Sequence, residues 1–374
     1  MRTRTPSVGI GVILVGILIA FVPGLWGIRE AWGAAGDACM DCHEKETPGI
    51  VADWKLSKHG EKGMVTCSVC HGDEHNSADD TAKASIPTPD VCGMCHKTQV
   101  NQFKAGKHAL AWAAMKAMPT AHMQPMALME GMKGCGGCHK IGLKTEEEIK
   151  ALQQQGRGFG IASCDACHTR HMFSTDESKQ PQACQTCHMG FDHPQWEMYS
   201  SSKHGVRYLL KQNKTLPESA AAPTCQTCHM QEGNHEVRTG WGFLGVRLPM
   251  PRDEQWAADR ATILQALGVL DPDGKPTPRL DVVKAADVAR LTQEDWQKER
   301  DKKMNACSQC HSENFAKEEL AKGDDMIRQA DRLMAEAIRV VAGLYKDGVL
   351  EKPDSYAYPF PDLLTVHDAP TVVE

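Results

Sequence analysis

Residues Cys164 to His193 read CDACHTRHMFSTDESKQPQACQTCHMGFDH and concentrate the reactive side chains of the chain. Two CxxCH units lie in this stretch, at Cys164/Cys167/His168 and Cys184/Cys187/His188, with His171 three residues past the first and an Asp192-His193 pair past the second. CxxCH is the attachment signature of c-type haem. The two sulfurs bond the porphyrin, and the adjoining His ligates the iron from one face. His171 lies too near His168 in sequence to reach the opposite face of the same iron, so it is expected to ligate a neighbouring haem. Asp192-His193 supplies a carboxylate beside an imidazole, a pair suited to moving protons near neutral pH.

The pattern recurs through the chain. All 16 cysteines fall into CxxCH units, the others being Cys39/Cys42/His43, Cys67/Cys70/His71, Cys92/Cys95/His96, Cys135/Cys138/His139, Cys225/Cys228/His229 and Cys307/Cys310/His311. A disulfide framework or a set of zinc knuckles also explains CxxC spacing, but neither needs a His after the second Cys each time. With His at about 5% of residues, eight coincidences have a probability on the order of 10⁻¹¹. Eight covalently bound c-type haems are therefore expected. Aromatic residues make up only 6% of the chain, so porphyrins must supply much of its interior. The net charge of −6 gives no basic footprint for nucleic acid.

Motif histidines fill one face of each iron. Seven of the remaining histidines are candidate distal ligands: His59 and His204 in SKHG contexts, His108 in GKHA, His75 and His171 just after motif histidines, His235 in HMQEGNH, and His122 in a Met-rich stretch. A lone His is more often structural than a ligand; eight irons in a short chain reverse that expectation. Seven distal ligands for eight irons leave one iron open, with His193 and His367 unassigned. His193 with Asp192 is the candidate acid–base pair beside that open iron, the bland alternative being that His193 is the eighth distal ligand. No CxxCK motif occurs, so a Lys-ligated haem of that kind is not indicated.

The elements that must position these groups are expected to be mostly α, with little or no sheet. Residues 1–33 read as an export segment, either cleaved as a signal peptide or retained as an N-terminal membrane anchor. Arg2 and Arg4 precede an apolar run long enough to span a bilayer, which sends the remainder outward to a periplasmic, extracytoplasmic location. Residues 34–245 carry seven motifs at spacings of 20 to 43 residues, room for a short helix and a loop each, and form a haem-packed domain. Within it, Met115, Met118, Met123, Met126, Met129 and Met132 form a stripe expected to be flexible packing and not axial ligation. Residues 246–374 hold the eighth motif and a C-terminal helical region. Thr292 with Asp295 reads as a helix start, and Asp324 to Lys346 as a long amphipathic helix ended by Gly348 and Pro353, whose stripe needs a partner.

With these motifs in place, the chain resembles the octahaem hydroxylamine oxidoreductase family. The likeness is carried by the eight motifs in order, CHTRH at Cys167–His171, CHMGFDH at Cys187–His193, SKHG at Ser202–Gly205, HMQEGNHEVRTGWGFLGVRLP at His229–Pro249, LQALGVLD at Leu264–Asp271, CSQCHS at Cys307–Ser312, and YPFPDLL with HDAP within Tyr358–Pro370. The resemblance implies that the haem on Cys135, Cys138 and His139 is five-coordinate, that Asp192 and His193 line its distal pocket, and that the other seven haems are bis-His. It implies a trimer of mostly helical subunits outside the cytoplasm. It also implies oxidation of hydroxylamine, to nitrite or nitric oxide, with electrons leaving to a cytochrome or a quinone-linked membrane protein. Oxidative members cross-link a Tyr to the catalytic porphyrin in a helical segment past the HDAP region. The sequence given ends at Glu374, before such a segment, and Tyr199, Tyr208, Tyr345, Tyr356 and Tyr358 do not match that position. Reduction of nitrite or hydroxylamine to ammonium is therefore the alternative direction, and a non-catalytic electron conduit the alternative class.

Overall fold

A CxxCH unit folds into a single helical turn, because residues i, i+3 and i+4 of a helix share one face. The computed structural model, which describes residues 38–61, 63, 65–116, 135–154, 163–190, 193–238, 248–278 and 292–352, uses that turn throughout. Cys67–His71, Cys135–His139 and Cys225–His229 are each a short helix. In other motifs the His amide donates to the first Cys carbonyl, at 2.8 Å for His96, 3.0 Å for His168, and 2.9 Å for His188 and His311. Between motifs the chain forms short helices and loops. No strand occurs among the described residues, only an isolated bridge between Leu270 and Pro276. The export segment, most of the Met-rich stretch with His122, and Asp192, Pro353, Tyr356, Tyr358 and His367 lie outside the described residues.

The two SKHG sequences fold into the same local device. Helix α1, Pro48–Leu56, stops at Ser57, whose hydroxyl donates to the Trp54 carbonyl (2.6 Å) and accepts from the Gly60 amide (3.0 Å). Ser202 does the same between Tyr199 (2.7 Å) and Gly205 (3.2 Å), and there the next helix, Lys203–Gln212, begins at once. The glycines are required by close approach. A Cβ on Gly60 would lie 2.2 Å from the Trp54 carbonyl oxygen, and one on Gly205 would lie 2.0 Å from that of Tyr199. The His between Ser and Gly is thereby fixed on a tight, self-capped corner.

The C-terminal part has a protein core of its own. Helix α2, Glu254–Ala266, packs along the long helix α3, Glu313–Lys346. Ile263, Leu264, Ala266, Leu267, Val269 and Leu270 meet Ala335 and Ile338 in the one hydrophobic cluster among the described residues. None of it comes from residues 38–238, where buried apolar residues such as Val51, Val100, Phe103 and Tyr208 are scattered. That scatter is what a porphyrin-filled interior requires. The expected division at residue 245 is crossed by Gln231 Nε2, which donates to the Lys302 carbonyl at 3.2 Å.

Two expectations for this region are sharpened. Thr292 does cap a helix, Gln293–Ser308, accepting from the Asp295 amide at 3.1 Å. The amphipathic helix is longer than Asp324–Lys346: Ser312 caps it directly after His311, and it runs for 34 residues. Its first turns were illegible as a stripe because they are almost wholly solvated, from Glu313 through Lys322, with only Ala316 fully buried. The helix ends in a Schellman turn at Gly348 (φ 70°), with the Val349 amide on the Leu344 carbonyl at 3.0 Å. Its partner for one face is α2. The opposite face leaves Met326, Leu333 and Val340 exposed at seven-residue spacing.

A buried ion pair joins these two helices. Asp331 accepts from Arg260 Nη2 at 2.9 Å, Arg260 Nε at 3.2 Å and Trp256 Nε1 at 2.7 Å, and Arg260 also donates to the Pro249 carbonyl. Both ionic side chains are at most 3% exposed. Removing one partner leaves an uncompensated buried charge, which typically costs about 3–5 kcal/mol. Asp331→Ala is expected to lower the unfolding midpoint of the C-terminal helices by a corresponding amount in denaturant titrations followed by circular dichroism, while the haem complement stays unchanged.

Candidate haem array

The histidines come together as pairs. Ring centroids are 6.1 Å apart in His43–His75, His59–His96, His71–His171 and His108–His188, 6.2 Å in His168–His235 and 6.0 Å in His204–His311. The other ring pairs spread more widely, from 4.7 Å in His311–Phe315 and 5.2 Å in His59–Phe173 to 6.3 Å in His171–Phe173 and Tyr199–Tyr208. The interplanar angles vary from 19° to 61° while the separation does not. A constant distance with a free twist is the signature of two imidazoles bound to one shared atom. With a metal–imidazole bond of about 2 Å, and about 1.1 Å from Nε2 to each ring centre, the centroids fall about 6.2 Å apart. Every pair joins one motif His to one non-motif His, the composition that bis-His haem ligation demands. The donor set and its spacing fit haem iron at these positions.

Several outer ring nitrogens are held as well. His43 Nδ1 meets Thr47 Oγ1 (2.8 Å), His71 Nδ1 the Ser85 carbonyl (3.0 Å), His139 Nδ1 the Ala111 carbonyl (2.8 Å), and His235 Nδ1 the Gly233 carbonyl (2.8 Å). Engaging Nδ1 as donor leaves the Nε2 lone pair free for a metal and fixes the ring plane. His75 differs: its Nδ1 lies 2.8 Å from the carboxylate of Asp80. That carboxylate is held well below the usual range, first by the Ser77 amide and then by His75. Burial pushes His108 down to about 4, so this imidazole stays neutral and able to ligate at neutral pH.

Attachment sulfurs form a connected series. Cys92 and Cys164 lie close enough to perturb one another, as do Cys184 and Cys225. Cys67 and Cys39, Cys70 and Cys92, Cys167 and Cys187, and Cys228 and Cys307 lie close enough to perturb one another. The described cysteines form no disulfide. Adjacent motifs therefore present their sulfurs to one another along the fold. The GKHA segment is tied in by its own close approach: the Lys107 amide donates to the Val237 carbonyl (2.9 Å), and a Cβ on Gly106 would lie 2.9 Å from the Val237 nitrogen. One stretch of chain thus braces both His108 and His235.

Cys42, Cys95 and Cys310, expected within a haem-packed interior, are exposed on the protein side. Each is the second Cys of its CxxCH unit, and the first cysteines Cys39, Cys92 and Cys307 are partly buried. The turn alone does not set this, because the second cysteines Cys70, Cys138, Cys167, Cys187 and Cys228 share it and are partly buried. The exposure follows from how much neighbouring chain packs on each motif.

Six of the seven expected distal histidines, His59, His75, His108, His171, His204 and His235, stand opposite motif histidines; the seventh, His122, lies outside the described residues. His139 and His229 face no imidazole partner among the described residues. His229 is instead approached by the amine of Lys303, 3.0 Å from Nδ1, and burial pulls that Lys below its ordinary range. His193 is exposed at the turn before helix Gln195–Ser201, close enough to His188 to influence it, while Asp192 is not described. Sequence reasoning missed Asp80 and Lys303. Ser77 with Asp80 three later has the spacing of a helix-start signal, which marks Asp80 as anchored but does not point to His75.

Short helices carrying CxxCH turns, with imidazoles paired at iron-bridging distance, define a covalently haem-binding helical cytochrome c. A family model described as "Seven times multi-haem cytochrome CxxCH" matches residues 62–255 and 279–355. The chain belongs to the multihaem cytochrome family. It is 31% identical over 387 residues to a probable nitrite reductase–hydroxylamine oxidoreductase fusion protein of Kuenenia stuttgartiensis, covering 87% of this chain and 40% of that relative's length. Among solved structures it resembles the reducing HAO-like protein complex of the same organism, with a TM-score of 0.58 and 28% identity over 89% of this chain and 65% of that one. A hypothetical multiheme protein, 20% identical with a TM-score of 0.56 over 86% of this chain and 84% of its own, shares the fold.

If the paired rings are axial ligands, His204→Ala converts one low-spin haem to high-spin without lowering the covalent haem content. Electron paramagnetic resonance alongside a pyridine haemochrome assay reads both. Gly205→Ala, which keeps the imidazole but forces its corner apart, is expected to produce the same spin change in part of the population.

Proposed function

We propose that this chain is an octahaem enzyme acting on hydroxylamine, oxidising it at the haem attached through Cys135, Cys138 and His139. The observation that carries the reading is the pairing pattern, in which six motif histidines have an imidazole opposite and His139 has none among the described residues. His122 is then assigned to His229, making seven bis-His haems and one five-coordinate. A haem iron with a free face, when bound here, supplies a site for a small nitrogen compound and a path for its electrons. The chain supplies the rest. His139 is aimed by the Ala111 carbonyl at its Nδ1, His193 takes up substrate protons at a ring nitrogen, and Asp192 orients it.

The family places such proteins outside the cytoplasm as a rule, and we assign this chain a periplasmic site. Among the described residues no helix is long and apolar enough to cross a membrane, so a tether would rest with the N-terminal segment. The external partner is an electron-accepting cytochrome or a quinone-linked membrane protein. In a homotrimer, the exposed Met326, Leu333 and Val340 stripe is the surface suited to a neighbouring copy. A second reading, reduction of nitrite or hydroxylamine to ammonium, is favoured by the solved relative whose name calls it reducing.

The test begins with spin state. The purified holoprotein is expected to show one high-spin haem that shifts on adding hydroxylamine. Eight low-spin haems that ignore hydroxylamine, nitrite and cyanide would establish a conduit. His193→Ala should keep every haem and lose at least about 100-fold in turnover, the usual scale of a lost general base. His122→Ala should add a second high-spin haem; no change in spin state would remove His122 from the ligand set. Steady-state assays with an oxidised acceptor and with a reduced donor then decide the direction.

A further inference from the structure

Of the paired histidines, His75 is the one whose outer nitrogen meets a carboxylate among the described residues. Asp80 is also firmly held. Its Oδ1 accepts from the amides of Asn76 (3.0 Å) and Ser77 (2.9 Å) as well as from His75, and its Oδ2 accepts from Lys83 at 3.3 Å. The side chain of Asp80 is 18% exposed and that of His75 is 25% exposed, so water screens the contact only in part. The ring is thus gripped on its Nδ1 side and presents its other side toward His43, 6.1 Å away.

We infer that Asp80 is a positioning and tuning residue for the haem on Cys39 and Cys42, making His75 a stronger electron donor and lowering that haem's reduction potential. A carboxylate that accepts the Nδ1 proton raises the basicity of the ligating nitrogen. A more basic axial ligand stabilises ferric over ferrous iron. Apart from the Lys303 amine on His229, the other described Nδ1 partners, a hydroxyl on His43 and carbonyls on His71, His139 and His235, are neutral. Lys83 offsets part of the charge, but it stands on the far oxygen, and the His75 contact is shorter. At the seventh motif, Lys303 brings an amine to His229, so the two rings have oppositely polar neighbours. The first haem is thereby set as a reducing terminus, one that holds electrons less tightly than its neighbours.

The inference rests on His75 being an axial ligand, and the experiment separates the two ideas. Asp80→Asn keeps an oxygen for the Asn76 and Ser77 amides and for His75 Nδ1 while removing the charge. The holoprotein, Asp80→Asn and Asp80→Glu are titrated by spectroelectrochemistry with electron paramagnetic resonance, and His75→Met identifies the signal of the first haem. Asp80→Asn is expected to keep the bis-His signal yet raise its reduced-to-oxidised ratio at fixed potential at least tenfold, about 59 mV for one electron. Asp80→Glu is expected to restore most of the difference. An unchanged potential in Asp80→Asn, with the His75→Met signal altered, overturns the tuning role alone. If His75→Met leaves every haem signal unchanged, the ligand assignment itself falls, and the inference with it.

Discussion

An imidazole can ligate iron only at bond length and nearly in its own ring plane, and the rest of this fold follows from meeting that requirement repeatedly. Six pairs, including His71 with His171 and His204 with His311, join parts of the chain far apart in sequence to one separation near 6 Å. With iron bound between its rings, each would work as a cross-link whose strength comes from the metal and whose cost is loop closure, a cost that grows only slowly with loop length. Long unstructured separations between ligands are therefore tolerable. What cannot vary is the local aim of each ring, and it is there that the sequence is most constrained.

The same requirement explains why the fold has two kinds of interior. Where porphyrins supply the apolar mass, helices of three to ten residues suffice and no side-chain cluster of their own is needed. Beyond the seventh motif a single attachment motif remains, at Cys307–His311, and the chain turns to ordinary means. The helices Glu254–Ala266 and Glu313–Lys346 pack through Ile263, Leu264, Ala335 and Ile338, with Arg260–Asp331 satisfying the charges they bury. His204, on the haem-rich side, reaches across to His311 at the foot of the long helix. A metal-built half and a side-chain-built half are thus bolted together.

The legible parts of the sequence were those whose chemistry is local. CxxCH declares attachment within five residues, and the shared SKHG context marks His59 and His204 as candidate ligands, although the serine-capped corner that holds each of them emerges only in the fold. The motif does not declare how deeply each sulfur lies: Cys95 and Cys310 read like every other second cysteine, yet they sit at the surface while Cys167 and Cys187 do not. The candidacy of His59, His75, His108, His171, His204 and His235 as second ligands was legible from counting against the irons. The pairing was not, since nothing local to His75 says that it serves His43 and not His71, only four residues before it. Asp80 was invisible for the same reason: its spacing from Ser77 explains the turn, while its contact with His75 depends on how the loop folds back. The start of the long helix was missed because solvated residues carry no periodic stripe.

The pairing also has an order, and it bears on the proposed open site. His75 follows the second motif and serves the first, His171 follows the fifth and serves the second, and His235 follows the seventh and serves the fifth. Each of these haems is capped by a segment that is itself anchored to another haem, so an error in one ring's aim passes to the next. An iron that must accept substrate cannot join such a series on its distal side. Its porphyrin is gripped through two thioethers and one imidazole, and its pocket must be shaped by side chains that stop short of the metal. His139, aimed from behind by the Ala111 carbonyl, meets the first half of that demand. The second half needs a proton-carrying group near enough to reach substrate and too far to bond iron, the requirement by which His193 is to be judged.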